Sequence, residues 1–346
     1  MHKPKKILVI RNDKIGDFML AWPAFALLKS QHPKAEITAL VPQYTAPLAE
    51  QCEWIDKVLI DTRKVSFFND VRLLSKNIKL NNYDLSISLF SELRTAIALW
   101  LAGVQTRIGP ATKIAQIFLN RTLKQKRSQS TKPEYEYNLD LIQYYIKLDN
   151  KVPIPTKEPP FWVFNKEVTQ LIRNNILNEH SIEAATKLII IHPGSGGSAI
   201  NLPIEKYAEL ANCIARHENV YFIITAGPNE LSHAKYLSEQ LEARHHIHDS
   251  KNDIIGLCKL IGSVDVFISG STGPLHIAGA LNTFTVAFYP SKTSATSLRW
   301  QTLNEAKKRL AFTLNSHTAD EVLEINIKPV CEKICTRYFK NLNSTP

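Results

Sequence analysis

Short runs of aliphatic and β-branched residues alternate along the chain with longer stretches in which apolar positions recur every three or four residues. In the first half the short runs predict strands over residues 7–10, 37–41, 58–60, 85–89 and 106–108. The stretches between them predict helices over 18–31, 47–52, 71–77 and 93–102, and another follows a basic, serine-rich segment at 135–148. Residues 150–160 then break the pattern with four prolines and no periodicity, which reads as a linker. Beyond it a second series begins. Its strands are expected at 188–191, 220–225, 264–268 and 285–288, its helices at 204–217, 231–244, 254–261 and 275–281.

Strand followed by helix, repeated on both sides of a linker, predicts an α/β protein of two Rossmann-like domains with a cleft between them. The 346-residue length agrees with two domains. The expected division is 1–155, 156–320 and a helical tail, 321–346, that packs back toward the first domain. No repeat of solenoid length is present.

Composition adds where the charge lies. Of 42 Lys+Arg and 32 Asp+Glu, residues 1–160 hold 24 and 15, a balance of +9, and residues 161–346 hold 18 and 17, a balance of +1. The anion that this excess serves therefore meets the first half, and nucleic acid, an anionic membrane surface and a phosphorylated substrate are the candidates. Nucleic acid is disfavoured because the basic stretch lacks interleaved aromatics and any binding motif. The five cysteines are odd in number and scattered, which predicts no disulfide framework and a reducing compartment. Cys331 and Cys335 lie close together without the further Cys or His pair that a zinc site needs. No apolar run reaches the ~20 residues of a membrane span, and the start of the chain does not resemble a secretory signal. A cytoplasmic protein is expected.

Ligands of open parallel sheets bind beyond the carboxyl ends of strands, and three loops there carry chemistry. The first, Arg11-Asn12-Asp13-Lys14-Ile15-Gly16-Asp17, puts Asp17 at or beside a helix N-cap, either as a cap or as a functional carboxylate. The second, His192 to Ala199, offers Ser195, Gly196, Gly197 and Ser198 as an anion-binding nest. It lacks the Lys-Ser/Thr ending of a nucleoside-triphosphatase loop. The third, Gly270 to His276, presents Ser271, Thr272 and Gly273 at a helix N-terminus, with His276 one turn in, which suits a diphosphate. Neither a dinucleotide fingerprint nor an Asp-x-Asp metal pair is present, so no metal is expected.

Four segments in order, residues 8–27 with Gly16-Asp17 and Pro23, 192–203, Ala226-Gly227-Pro228-Asn229-Glu230, and 270–281 followed by Ala287-Phe288-Tyr289-Pro290, resemble glycosyltransferase family 9, the ADP-heptose:lipopolysaccharide heptosyltransferases. The resemblance implies a GT-B fold, its two Rossmann-like domains facing each other across a cleft. It implies an inverting transfer, without cofactor or metal, of heptose from the nucleotide sugar ADP-heptose to a lipid A-core acceptor. Asp17 matches the family's catalytic carboxylate, and Glu230 the carboxylate that holds the nucleotide ribose. The donor phosphates fall to the two serine- and glycine-containing loops. The chain departs from the family pattern at Ile200-Asn201-Leu202-Pro203, where a basic residue commonly stands at the first position, and at Ser271, where many members have Asp. Arg299 or Lys292 is the candidate replacement cation. The alternatives are the same fold with another nucleotide-sugar donor, and a sugar-nucleotide-binding protein that no longer transfers. The basic stretch Arg121, Lys124, Lys126, Arg127 and Lys132 is expected to meet the acceptor and the anionic inner face of the cytoplasmic membrane, where the protein would be peripheral.

Overall fold

In the computed structural model, the described residues are 6–63, 66–112, 114–194, 201–227, 229–250, 253–316 and 323–340. They form two compact units that divide between Glu158 and Pro159, inside the proline-rich linker.

The first unit is built on six parallel strands, β1 (Lys6–Ile10), β2 (Glu36–Val41), β3 (Lys57–Ile60), β4 (Leu85–Ser88), β5 (Thr106–Pro110) and β6 (Arg121–Leu123), in the order β3-β2-β1-β4-β5-β6. Its helices are α1 (Ile15–Met19), α2 (Trp22–Gln31), α3 (Ala46–Glu50), α4 (Phe67–Asn81), α5 (Leu93–Leu101) and α6 (Glu134–Leu148). The single helix expected over 18–31 is two. Pro23 explains the break: it has no N–H to donate and is tolerated in a first turn, so a new helix starts at Trp22. β6 was hidden within the basic stretch, whose three strand residues show no apolar alternation.

The second unit carries β7 (Lys187–His192), β8 (Val220–Thr225), β9 (His245–His248), β10 (Val266–Gly270), β11 (Phe284–Pro290), β12 (Arg309–Ser316) and β13 (Leu323–Glu324), in the order β13-β12-β11-β10-β7-β8-β9. All neighbours are parallel except β12 and β13. Its helices are α7 (Lys166–Glu179), α8 (Ile204–Ala215), α9 (Leu231–Gln240), α10 (Ile254–Ser263), α11 (Gly273–Ala280) and α12 (Ile327–Ile334). Sequence periodicity missed β9, because three of its four residues are histidines at the sheet edge, and it missed α7, most of which is solvent-facing.

Two features mark the end of the chain. The described part of the tail belongs to the second unit: Ile327, Val330, Cys331 and Ile334 line one face of α12 at helical spacing and join Leu210, Ala211 and Ile214 of α8 in a common core. Cys331 is also joined in a disulfide to Cys213 on α8, so the expectation of no disulfide fails for this pair, while Cys52, Cys258 and Cys335 are buried.

The strand pattern places the core. Ile189 and Ile191 of β7 are fully buried between the sheet and the helices that contain Tyr207, Ile214 and Ile334. Truncating Ile191 to Ala should lower stability by about 2–5 kcal/mol, from lost burial plus the cavity left behind. A urea midpoint unchanged from the parent would mean that this face is not packed as described.

Candidate active site

Both sheets reverse strand order beside their first strand, between β1 and β4 and between β7 and β10, which is where open α/β sheets leave a crevice at the strand ends. The residues with the most unusual surroundings lie in these two places.

In the first unit the chain leaves β1 directly into Arg11, whose side chain is buried. Its Nη2 donates to Asp17 Oδ1 and its Nη1 to Glu134 Oε1 (3.0 Å), Asn138 Oδ1 (3.1 Å) and the Leu89 carbonyl (3.3 Å). Its Nε lies 2.9 Å from Asp13 Oδ1. Glu134 opens α6, at an N-terminus that favours a carboxylate, and also accepts from Arg127 Nη1 at 2.7 Å. Three carboxylates thus surround one buried guanidinium, with Arg127 at the margin. Burial works against the charge of Arg11, but Asp13, Asp17 and Glu134 outweigh it and hold its pKa above the usual range. Asp13 is pushed up to about 7, chiefly by burial, against the pull of Arg11. Asp17 is raised for the same reason, with Glu134 adding repulsion.

Asp17 does not cap its helix. Lys14 occupies the N-cap without a side-chain bond, and Asp17 sits in the first turn with its carboxylate directed at Arg11. A carboxylate with a raised pKa, 16% exposed at a strand end, is equipped to accept a proton from a hydroxyl. Beside it a second network joins the ends of β1, β3 and β4: Asp61 accepts from Asn12 Nδ2 (2.7 Å) and from Arg94 Nη2, while Glu92 accepts from Thr95 (2.9 Å) and Arg63 (3.2 Å).

In the second unit the loops after β7, β8 and β10 come together. Glu230 is wedged between two glycines. A Cβ on Gly194 would overlap its carboxylate and one on Gly227 would lie 2.6 Å from Oε2, which instead accepts from the Gly227 amide at 3.1 Å. Asn201 holds the other side together, donating to the Pro193 carbonyl (2.7 Å) and accepting from Tyr207 (2.7 Å), and it occupies the space that a Cβ on Gly270 would need. Thr272 caps α11 through the Leu275 amide and lies 3.3 Å from Ser269 Oγ. Two buried histidines complete the floor. His192, its Nδ1 3.0 Å from Thr225 Oγ1, is lowered to about 4 by burial against the pull of Glu230, and burial likewise lowers His276 to about 4. Both are neutral at pH 7. His276 therefore offers a hydrogen bond but no positive charge, and its Nδ1 is buried without a partner.

Ser195, Gly196, Gly197, Ser198 and Ile200 lie outside the described residues. Ser271 and Gly273 flank the Thr272 cap. Arg299 is buried against Trp300, 5.6 Å from its ring centroid, and Lys292 is exposed. Of the basic stretch, Arg127 belongs to the carboxylate cluster and Lys132 pairs with Asp140 at 2.6 Å and lies over the Tyr137 ring. Arg121, Lys124 and Lys126 are exposed. The block of five cations is thus divided between the site and the surface. Asp13, Glu134 and Asn201 were not singled out from sequence. Glu134 lies 123 residues from Arg11, and no local pattern announces the pairing. Among the described residues no group of three or more His, Cys, Asp or Glu is arranged to hold a metal ion.

A model of glycosyltransferase family 9 (heptosyltransferase) matches residues 71–322. A Haemophilus influenzae protein with the provisional name glycosyltransferase is 41% identical over 89% of both chains. The lipopolysaccharide core heptosyltransferase OpsX of the same organism is 23% identical over 83% of this chain and 79% of its own length. The structure of Escherichia coli ADP-heptose LPS heptosyltransferase II superimposes with a TM-score of 0.77 at 18% identity, covering 97% of this chain and 99% of that one.

The Arg11 cluster makes a stability prediction. Arg11→Met leaves three carboxylates around an apolar side chain and should cost about 3–5 kcal/mol near neutral pH. Protonation removes the uncompensated charge, so the deficit against the parent should shrink between about pH 8 and about pH 5 in urea titrations. A pH-independent deficit would mean that the carboxylates do not depend on Arg11 for their charge balance.

Proposed function

The chain belongs to glycosyltransferase family 9, the heptosyltransferases, and from that premise we propose that it transfers heptose from ADP-heptose to an inner-core sugar of a lipopolysaccharide acceptor, with inversion and without a metal. The observation that carries this reading is the placement of Asp17. It stands at the end of β1, buried against Arg11 and kept out of the N-cap, with its pKa raised.

The chemistry follows from the groups present. The acceptor hydroxyl gives its proton to Asp17 as its oxygen bonds to the anomeric carbon of the heptose. The bond from that carbon to the diphosphate oxygen breaks on the opposite face, and the electron pair leaves with ADP. Negative charge grows on the diphosphate and must be met by donors. The N-terminus of α11 with Thr272 and Gly273, neutral His276 and the loop from Ser195 to Ser198 supply them in this proposal, with Arg299 as the buried cation nearest in sequence to that group. Glu230, fixed in its glycine slot, accepts from the ribose hydroxyls. Arg63, Arg94 and Arg127 are paired with carboxylates, so a phosphorylated, carboxylated acceptor is met in this proposal by the exposed Arg121, Lys124 and Lys126. Such an acceptor is lipid-borne, which places the reaction at the inner face of the cytoplasmic membrane. No helix among the described residues is long and apolar enough to cross it.

Purified protein should convert ADP-heptose and a heptose-free core acceptor to a product one heptose heavier by mass spectrometry, and UDP-sugars should not substitute. Asp17→Asn should abolish transfer while ADP affinity stays within a few-fold, because the amide keeps the size but cannot take the proton. Full turnover in that variant would remove Asp17 as the base. Glu230→Ala should weaken ADP binding about tenfold or more, the value of a charged hydrogen bond of ~1.5–3 kcal/mol. Calorimetry giving the parental dissociation constant would contradict its placement on the ribose.

A further inference from the structure

The first unit leaves a row of large apolar side chains in water. At the start of α4 Phe68 is 82% exposed, on α5 Trp100 is 52% exposed, and on the 3₁₀ helix Ile114–Phe118 both Ile114 (65%) and Ile117 (74%) point outward. They are not scattered. Phe67 and Phe68 line one hollow with Ile97 and Leu101 of α5. Trp100 meets Phe118 with ring centroids 5.8 Å apart, and Ala115 of the 3₁₀ helix packs on Ala96. An apolar ribbon therefore runs from α4 across α5 to the 3₁₀ helix, and a continuous exposed patch of this kind marks an interaction surface.

Charge decides what covers it. Residues 93–133 contain Arg94, Arg107, Lys113, Arg121, Lys124, Lys126, Arg127 and Lys132 and not one Asp or Glu. Arg94, Arg127 and Lys132 are answered by Asp61, Glu134 and Asp140, and Arg107 by the carbonyls of Val104 and Phe118. Arg121, Lys124 and Lys126 are exposed on and just after β6, which begins three residues beyond the 3₁₀ helix, and Arg72 lines the hollow beside Phe68. A second copy of this chain would set these cations against themselves. An anionic lipid surface answers both features at once, since aromatic and aliphatic side chains enter the interface while Lys and Arg stay at the headgroups.

We propose that this ribbon is the membrane-docking face of the protein: Phe68, Trp100, Ile114 and Ile117 insert below the headgroups of an anionic bilayer, and Arg121, Lys124 and Lys126 hold the headgroups. The proposal deepens the reading of a lipid-borne acceptor and rests on it. It also divides docking into an apolar part, indifferent to salt, and an electrostatic part that salt screens.

Vesicles of phosphatidylglycerol and phosphatidylethanolamine, compared with phosphatidylcholine alone, separate the two parts by sedimentation. Replacing Phe68, Trp100 and Ile117 together with Ser should weaken binding to the anionic vesicles about tenfold or more at both low and high salt. Replacing Arg121, Lys124 and Lys126 with Ser should weaken it mainly at low salt. In the parent, bromine on the lipid acyl chains should quench tryptophan fluorescence, and Trp100→Phe should remove that quenching; this arm needs no multiple variant to fold. Parental binding by the apolar variant, an absence of quenching, or a dimeric parent made monomeric by the apolar substitutions would overturn the proposal. No readout involves donor or transfer. Intact docking with no heptose transfer would therefore count against the proposed reaction and leave the docking face standing.

Discussion

One guanidinium organises the first unit's strand-end surface. Arg11 leaves the core strand β1 and is buried at once, so its charge has to be matched inside the protein, and Asp13, Asp17 and Glu134 do so from three directions. The match is lopsided. Three carboxylates against Arg11, with Arg127 shared at the edge, leave an environment in which burial outweighs attraction, and Asp13 and Asp17 bind protons more readily than ordinary aspartates. A carboxylate paired one-to-one with Arg would be a weak base held in its charged form. Burial first, and the repulsion of Glu134 after it, raise the pKa of Asp17 against the pull of Arg11.

The second unit handles charge in the opposite way. Its strand ends hold two histidines whose burial keeps them neutral, a glutamate slotted between Gly194 and Gly227, and a helix N-terminus capped by Thr272. The diphosphate proposed for this surface would be met by dipoles and neutral donors, in keeping with the +1 balance of residues 161–346. It also makes sense of the departure at Ile200. With no cation at that position, Asn201 serves as a structural clasp between the loop after β7 and Gly270.

What was legible in the sequence follows from what is local. Both series of βα units and the linker could be read because alternation and proline clusters are short-range signals. That Asp17 faces Arg11 and Glu134 instead of capping its helix could not be read, because these residues are brought together by the β1-β4 pairing and the packing of α6. The fate of the basic stretch was equally hidden. Arg127 and Lys132 resemble Lys124 and Lys126 in sequence, and only the carboxylates at 134 and 140 on α6 separate them. The disulfide was missed for a similar reason, since nothing near Cys331 in sequence points to Cys213, 118 residues away.

The central claim is that the Arg11 cluster keeps Asp17 a base with a raised pKa, and the pH dependence of single-turnover heptose transfer tests it most directly. The proton must leave Asp17 before it can accept another, so transfer should rise with pH and its acidic limb should lie well above the ordinary aspartate value of ~3.9. Glu134→Gln removes the carboxylate that repels the charge of Asp17 while leaving the Asp17–Arg11 bond in place, and should move that limb to lower pH. A limb at the ordinary aspartate value in the parent, or one that stays in place in Glu134→Gln, would contradict the account.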